Sequence, residues 1–260
     1  MRDLLAGKVV LVSGGTQGLG AGIARAAARE GATLVIAGRN AGHGEEVVAE
    51  LTAAGAEASY VHADITDVAQ AVATVRITLE RHGRIDSLVN SAGLTTRGTL
   101  MDTSEELFDQ HIAINLKAPF FLMQATVADL VRRGASGTIV NIISIDSHGG
   151  QSFLAPYVAA KAGLAGLTRN AAHAHRRNRI RINGLNIGWS ATDGEDLIQR
   201  RSHRAGADSQ RRAAASLPMG KLGQVDEIAD FVAFLVSERS DVVTGSVIDW
   251  DQTVIGGLGD

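Results

Sequence analysis

Short runs of β-branched and aliphatic residues alternate along the whole chain with longer alanine-rich stretches. KVVLVS, TLVIAG, EASYVHAD, IDSLVNSAG, GTIVNIIS, IRINGLNIG and GSVIDWD read as strands. Between them, GAGIARAAAREG closes at Gly31, GEEVVAELTAAG ends at Gly55, and VAQAVATVRITLERHG reads as a third helix. A longer helical section covers Glu105 to Arg133 and is interrupted near Asn115 and Pro119. APYVAAKAGLAGLTRNAAHAHRR and VDEIADFVAFLVSE complete the helices. Strands alternating with helices predict parallel βαβ units with right-handed crossovers. The expected fold is α/β: a doubly wound, seven-stranded parallel sheet with helices on both faces and ligands at the carboxyl ends of the strands. No linker, low-complexity segment or internal repeat divides the chain, so residues 1–260 are expected to form one domain.

Composition narrows the function classes. Of 260 residues, 45% are hydrophobic and 20% charged, as in an ordinary soluble globule. A net charge of −3 points to neither nucleic acid nor an anionic membrane as a partner. The chain has no cysteine, which excludes disulfides, thiol nucleophiles and cysteine-type zinc sites. Its eight histidines do not pair with carboxylates at metal-ligand spacing, so no metal is expected. HAHRRNR reads as a complement to a helix C-terminus rather than a nucleic-acid patch. No apolar run approaches the roughly 20 residues of a membrane span. The opening MRDLLAGKVVLVSGG lacks the apolar core of a secretion signal, so an intracellular, cytoplasmic protein is expected.

Candidate chemistry begins directly after the first strand, in SGGTQGLG. Gly14, Gly18 and Gly20 would let the backbone approach a pyrophosphate, with the next helix N-terminus facing the phosphates. The second strand ends VIAGRN. A carboxylate there would bond the adenosine ribose, but this chain has Gly38 and then Arg39, whose guanidinium can hold a 2′-phosphate bidentately. NADP(H) is therefore expected over NAD(H), with Ser13 and Asn40 as further hydrogen-bonding groups. Downstream, Ser144 ends a strand, Tyr157 follows thirteen residues later after Pro156, and Lys161 stands four residues beyond on the same helix face.

Together these pieces resemble the short-chain dehydrogenase/reductase family over nearly the whole chain: SGGTQGLG, Asp64 in HADITD, NSAG (Asn90 to Gly93), Asn115 in IAINLKAPFF, Ser144, and Tyr157 with Lys161 in YVAAK. The resemblance implies a Rossmann fold binding a nicotinamide dinucleotide, and a site of Asn115, Ser144, Tyr157 and Lys161. Tyr157 would be the general acid/base and Lys161 would lower its pKa. Ser144 would orient the substrate oxygen and Asn115 would hold a relay water. A tyrosine near pKa 10 needs roughly 3 units of lowering, ~4 kcal/mol, which one or two desolvated positive charges can supply. The cofactor would be held by Ser13, Gly14, Gly18, Leu19, Gly20, Arg39, Asp64 (to the adenine), Ile65, Asn90, Ala92, Gly93, Tyr157, Lys161, Ile187, Gly188 and Thr192. Members are commonly tetramers or dimers, so a homotetramer or homodimer is expected, pairing the long helices around Asn115–Arg133 and Ala155–Asn178.

The chain departs from the family pattern in three places. Ser91 replaces an asparagine, Ile187 replaces a proline in INGLNIGW, and VIDWDQTV stands where a DGG ending is usual. Losing proline's fixed φ should loosen the Ile187 segment unless Asn186 compensates. A substrate lid is expected over about 189–223, and its polarity favours a small, polar, sugar- or polyol-like substrate. Thr95, Asp146, Gln151, Asn186 and Trp189 are the expected substrate contacts, with His148 and Glu195 also near the pocket mouth. The alternatives are a reductase of hydrophobic ketones or 3-oxoacyl substrates, and a catalytically silent nucleotide-binding regulator.

Overall fold

A computed structural model describes residues 3–192 and 209–256. The seven expected strands are β1 (Val9–Ser13), β2 (Thr33–Gly38), β3 (Ala58–His62), β4 (Ser87–Asn90), β5 (Gly137–Ile142), β6 (Ile180–Ile187) and β7 (Val247–Trp250). They form one sheet in the order β3-β2-β1-β4-β5-β6-β7, and every neighbouring pair is parallel.

Both faces are covered, and alternate residues of each strand divide between them. Val10 and Val12 of β1 join Leu34, Ile36, Val140 and Leu185 under α1 (Gly18–Arg29) and α2 (Ala41–Ala53). Leu11 joins Val35, Leu88, Ile139 and Ile182 under α3 (Val68–His82) and α5 (Ala118–Arg133). This two-sided burial explains why the strands read as nearly continuous apolar runs. α4 (Glu105–Ile112), α6 (Ala155–His175), α7 (Ser209–Ser216) and α8 (Val225–Val236) are the other α-helices among the described residues. α8 packs closely on α1 because Gly22 has no side chain: a Cβ there would lie 2.2 Å from Cγ1 of Val225.

Three elements differ from expectation. First, α2 begins at Ala41 rather than Gly44, because Asn40 caps it: the Asn40 Oδ1 accepts from the His43 N–H at 3.1 Å. Second, the interruption at Asn115 is a π-helical turn, Ala113–Lys117, joining α4 to α5, while Pro119 sits harmlessly in the first turn of α5. Third, α7 falls inside the expected lid. Residues 193–208 of that lid, Glu195 among them, lie outside the described residues. A short parallel bridge joins Ser190 to Gly223 near the two ends of that expected segment. In that bridge the Gly223 N–H donates to the Trp189 carbonyl at 3.0 Å, and the Ala191 N–H donates to that of Gly223 at 2.9 Å.

Among the described residues, no helix is long and apolar enough to cross a membrane.

Candidate active site

In a doubly wound sheet, the connections leaving the two strands at the reversal in strand order run to opposite faces and open a crevice at the strands' carboxyl ends. Here those are β1 and β4. A cleft of about 1090 Å³ opens across this end of the sheet. Its wall gathers the β1–α1 turn, Arg39 after β2, Ile65 after β3, and Ala92 to Arg97 after β4. Ser144 and Asp146 after β5, Tyr157 and Lys161 on α6, and Ile187 to Ser190 after β6 complete it.

The β1–α1 turn is shaped to admit a ligand against backbone. Gly14 has φ of +78°, and a Cβ on it would lie 2.5 Å from the Ala92 nitrogen. A Cβ on Gly20 would lie 2.0 Å from the Gly14 carbonyl oxygen. Gly20→Ala is therefore expected to displace the turn, lower Tm and weaken nucleotide binding by at least about tenfold, roughly 1.4 kcal/mol. Fluorescence titration with either nucleotide checks this, and unchanged affinity would remove the turn from the binding site.

Two buried polar atoms beneath the turn, Ser13 Oγ and Asn90 Oδ1, lack a hydrogen-bond partner. The glycines at 14, 18 and 20 present backbone rather than side chains to this end of the cleft, which fits a pyrophosphate-bearing ligand lying against the turn. Ser13, Asp64 and Asn90 do not themselves line the cleft. Asn90 instead donates from Nδ2 to Asn141 Oδ1 at 2.8 Å, tying β4 to β5. The Asp64 carboxylate accepts from the Thr66 N–H at 3.0 Å and its hydroxyl at 2.8 Å, so it shapes the β3–α3 turn and leaves Ile65 to line the wall. Arg39 is exposed at the rim and shares the cleft with His43, a neighbour not read from the sequence.

Tyr157 and Lys161 stand on one face of α6, whose start is fixed by the loop after β4. The Gly98 N–H donates to the Phe153 carbonyl at 2.9 Å, and the Ala155 N–H donates to that of Gly98 at 3.0 Å. Pro156 occupies the first turn, as its missing N–H allows. Lys161 is buried, and its Nζ donates to the Ile142 carbonyl at 2.8 Å and lies 5.6 Å from the Tyr157 ring centroid. Burial pushes the ammonium pKa from 10.5 down to about 8.

Ser144 lies two residues beyond the end of β5 and caps the short 3₁₀ turn Ile145–His148. Its hydroxyl accepts from the Asp146 N–H and donates to the Asp146 carboxylate, both at 3.2 Å. Asp146 thus sits at the cleft and on the expected substrate-orienting hydroxyl at once. Thr95, Gln151 and Trp189 also line the cleft, as expected.

One expected contact needs correction. Asn186 does not line the cleft but is fully buried behind it. Its Oδ1 accepts from Ser147 Oγ at 3.1 Å, and its Nδ2 donates to Asp249 Oδ1 at 2.7 Å and lies 3.1 Å from His148 Nε2. His148 in turn meets Asp249 at 2.9 Å. This knot holds the 3₁₀ turn, β6 and β7 together, and Ile187 lies in register opposite Trp250.

Asn115, in the π-helical turn, is tied to the loop after β4. Its Oδ1 accepts from the Leu94 N–H at 3.1 Å, and its Nδ2 donates to the Leu94 carbonyl at 3.0 Å and meets His111 Nδ1 at 3.2 Å. Both amide hydrogens are engaged, so the side chain anchors the loop after β4. Gly93 brings it close to the lysine, since a Cβ there would lie 3.3 Å from Asn115 Oδ1 and 3.9 Å from Lys161 Nζ.

Residues 14–253 match the family model described as Enoyl-(Acyl carrier protein) reductase. The oxidoreductase UcpA of Salmonella typhimurium is 34% identical over 257 residues, covering 96% of each chain. The 2-dehydro-3-deoxy-D-gluconate 5-dehydrogenase of Dickeya dadantii is 31% identical over 247 residues, covering 95% of each. Among solved structures, a variant of actinorhodin polyketide ketoreductase with NADPH superposes with a TM-score of 0.90 at 29% identity, covering 97% of this chain and 98% of that one.

Proposed function

The chain belongs to the short-chain dehydrogenase/reductase family of oxidoreductases, and from that premise we propose that it interconverts a secondary alcohol and a ketone on a small polar, sugar- or polyol-like molecule, with NADP(H) as preferred cofactor. The observation that carries the reading is the convergence of Tyr157, Lys161 and Ser144 on the cleft whose far end is the Gly14–Gly20 turn. When bound, the nicotinamide supplies the hydride for reduction and accepts it for oxidation. In the reductive direction Tyr157 Oη gives its proton to the forming alkoxide, and in the oxidative direction it takes the proton back. The Lys161 ammonium stabilises the phenolate left behind. Ser144 bonds the substrate oxygen and holds it toward Tyr157. Gly14, Gly18 and Gly20 take the pyrophosphate, and Arg39 takes a 2′-phosphate.

A polar substrate is supported by the side chains that share the cleft with Tyr157, namely Thr95, Asp146 and Gln151. The sugar-acid dehydrogenase relative is in keeping with that class. A second reading, reduction of a hydrophobic ketone or acyl substrate, is favoured by Phe153, Leu154 and Trp189 on the same wall and by the polyketide ketoreductase likeness.

Nicotinamide absorbance, followed with both nucleotides against polyols, ketoses, sugar acids, cyclic ketones and 3-oxoacyl thioesters, decides among these. Turnover of polyols or their ketones is expected, with kcat/KM favouring NADPH by at least about tenfold. Arg39→Glu should erase or reverse that preference, since a lost charge-assisted contact costs about 1.5–3 kcal/mol, roughly tenfold to a hundredfold. A wild-type preference for NADH would sink the cofactor assignment. Turnover of acyl thioesters alone would select the second reading.

A further inference from the structure

His111 is fully buried in the last turn of α4, four residues before Asn115, and the reaction scheme above makes no use of it. Its Nδ1 meets the Asn115 amide nitrogen at 3.2 Å, and its Nε2 meets the Thr96 carbonyl at 3.0 Å. An amide nitrogen only donates and a carbonyl only accepts, so these partners select the neutral imidazole with its proton on Nε2. The ring edge also faces the ring of Tyr157, with centroids 6.1 Å apart and planes at 76°.

We propose that His111 is a positioning residue: as the neutral Nε2–H tautomer it fixes the Asn115 amide and, through Thr96, the cleft wall after β4, and its protonation unlocks both. The inference rests on the oxidoreductase reading of the same cleft.

The argument follows from donors and acceptors. A protonated imidazole has two donors and no acceptor. It would oppose the Asn115 Nδ2 with another N–H. Turning the amide over would satisfy that pair, but would then set Nδ2 against the Leu94 N–H, which Oδ1 now accepts at 3.1 Å. Either response breaks the anchor of the loop that carries Leu94 to Arg97 along the cleft.

The titratable neighbours of His111 act in one direction. Tyr157 and Lys161 face it from α6, and Arg97 stands one residue beyond Thr96, donating to the Thr95 carbonyl at 3.1 Å. Burial, assisted by the positive Lys161, holds the His111 pKa below the ordinary histidine value, although the Thr96 carbonyl pulls the other way. The sign follows: the anchor is intact above that lowered pKa and is lost as pH falls through it.

The test uses three forms of the full chain and two readouts. In the ligand-free wild type, ¹⁵N NMR of the imidazole should report an Nε2–H tautomer near neutral pH, protonating below about 6.5. Wild-type kcat should show an acid limb below the ordinary histidine pKa. His111→Leu should lower kcat about tenfold to a hundredfold at all pH values, as expected when reacting groups are misplaced by a fraction of an ångström to an ångström. Its nucleotide KM should stay within about threefold. His111→Asn, which restores an acceptor at the Nδ1 position and cannot protonate, should recover most of kcat above neutrality and lack the acid limb. A cationic ring or an Nδ1–H tautomer near neutral pH would overturn the proposal. So would an acid limb that persists unchanged in both variants. A wild type that turns over nothing counts against the oxidoreductase reading instead, while the tautomer still tests His111 on its own.

Discussion

Replacing Tyr157 with phenylalanine is expected to lower kcat by about a thousandfold or more, while nucleotide affinity and Tm stay close to wild type. The tyrosine is nearly buried at 8% exposure in the first turns of α6, so a phenyl ring fills the same space. What is removed, on the proposed mechanism, is the hydroxyl that moves a proton at the substrate oxygen. General acid–base catalysis contributes about 10²–10⁴ in rate, or ~3–5 kcal/mol. The Gly14–Gly20 turn and Arg39 lie on other elements and are untouched. Steady-state kinetics combined with nucleotide titration separates the two effects. Retained turnover would assign the proton to another group, and lost nucleotide binding would make Tyr157 a binding residue.

Lys161→Met is expected to divide activity from stability. Loss of kcat by about a hundredfold or more follows if the ammonium stabilises the Tyr157 phenolate. The fold, however, should become no weaker. Burial lowers the Lys161 pKa from 10.5 to about 8. That amounts to ~3 kcal/mol of destabilisation below pH 8, at about 1.4 kcal/mol per unit. Methionine keeps an apolar stem of similar length but leaves the Ile142 carbonyl without its donor, a loss of about 1–3 kcal/mol. The net change near neutral pH is small or stabilising.

The pH dependence is the sharper observable. Because the folded pKa lies below the unfolded one, the penalty is fully present below pH 8 and is relieved as pH rises toward 10.5. Denaturant unfolding should therefore show the wild type gaining stability over that window relative to Lys161→Met. A flat difference across the window would mean that the ammonium is not desolvated.

Much of this was legible in the chain, and the misses share a cause. Two-sided burial writes each strand as an apolar run, so all seven strands were located by their composition. The glycine turn after β1 and the shared helix face of Tyr157 and Lys161 were legible from local geometry, while their reading as one site with Ser144 came from the resemblance to the family. The start of α2 was misplaced because Gly42 and Gly44 mask a helix that the Asn40 side chain caps. Asn186 read as a substrate contact because it precedes the cleft segment in sequence. Its partners Ser147 and Asp249 are 39 and 63 residues away, and only the β6–β7 register brings them together. His111 was missed for the same reason. A histidine four residues before an asparagine is unremarkable on a helix, and Thr96, which fixes its tautomer, lies on the preceding loop.

The place of β1 in the sheet also bears on how the chain assembles as it leaves the ribosome. β1 is made first, yet it ends between β2 and β4, with the Val9 N–H held by an Asp86 carboxylate 77 residues away. At about 5–20 residues per second, roughly 4 to 15 seconds separate the synthesis of these two residues. Until β4 emerges, the nascent half-sheet β3-β2-β1 presents the open backbone edge of β1, flanked by Val10, Leu11 and Val12. Unpaired apolar edges of that kind template association between chains. Slower elongation between α3 and β4 should therefore lower the yield of soluble protein, and chaperone demand should peak in that interval of synthesis.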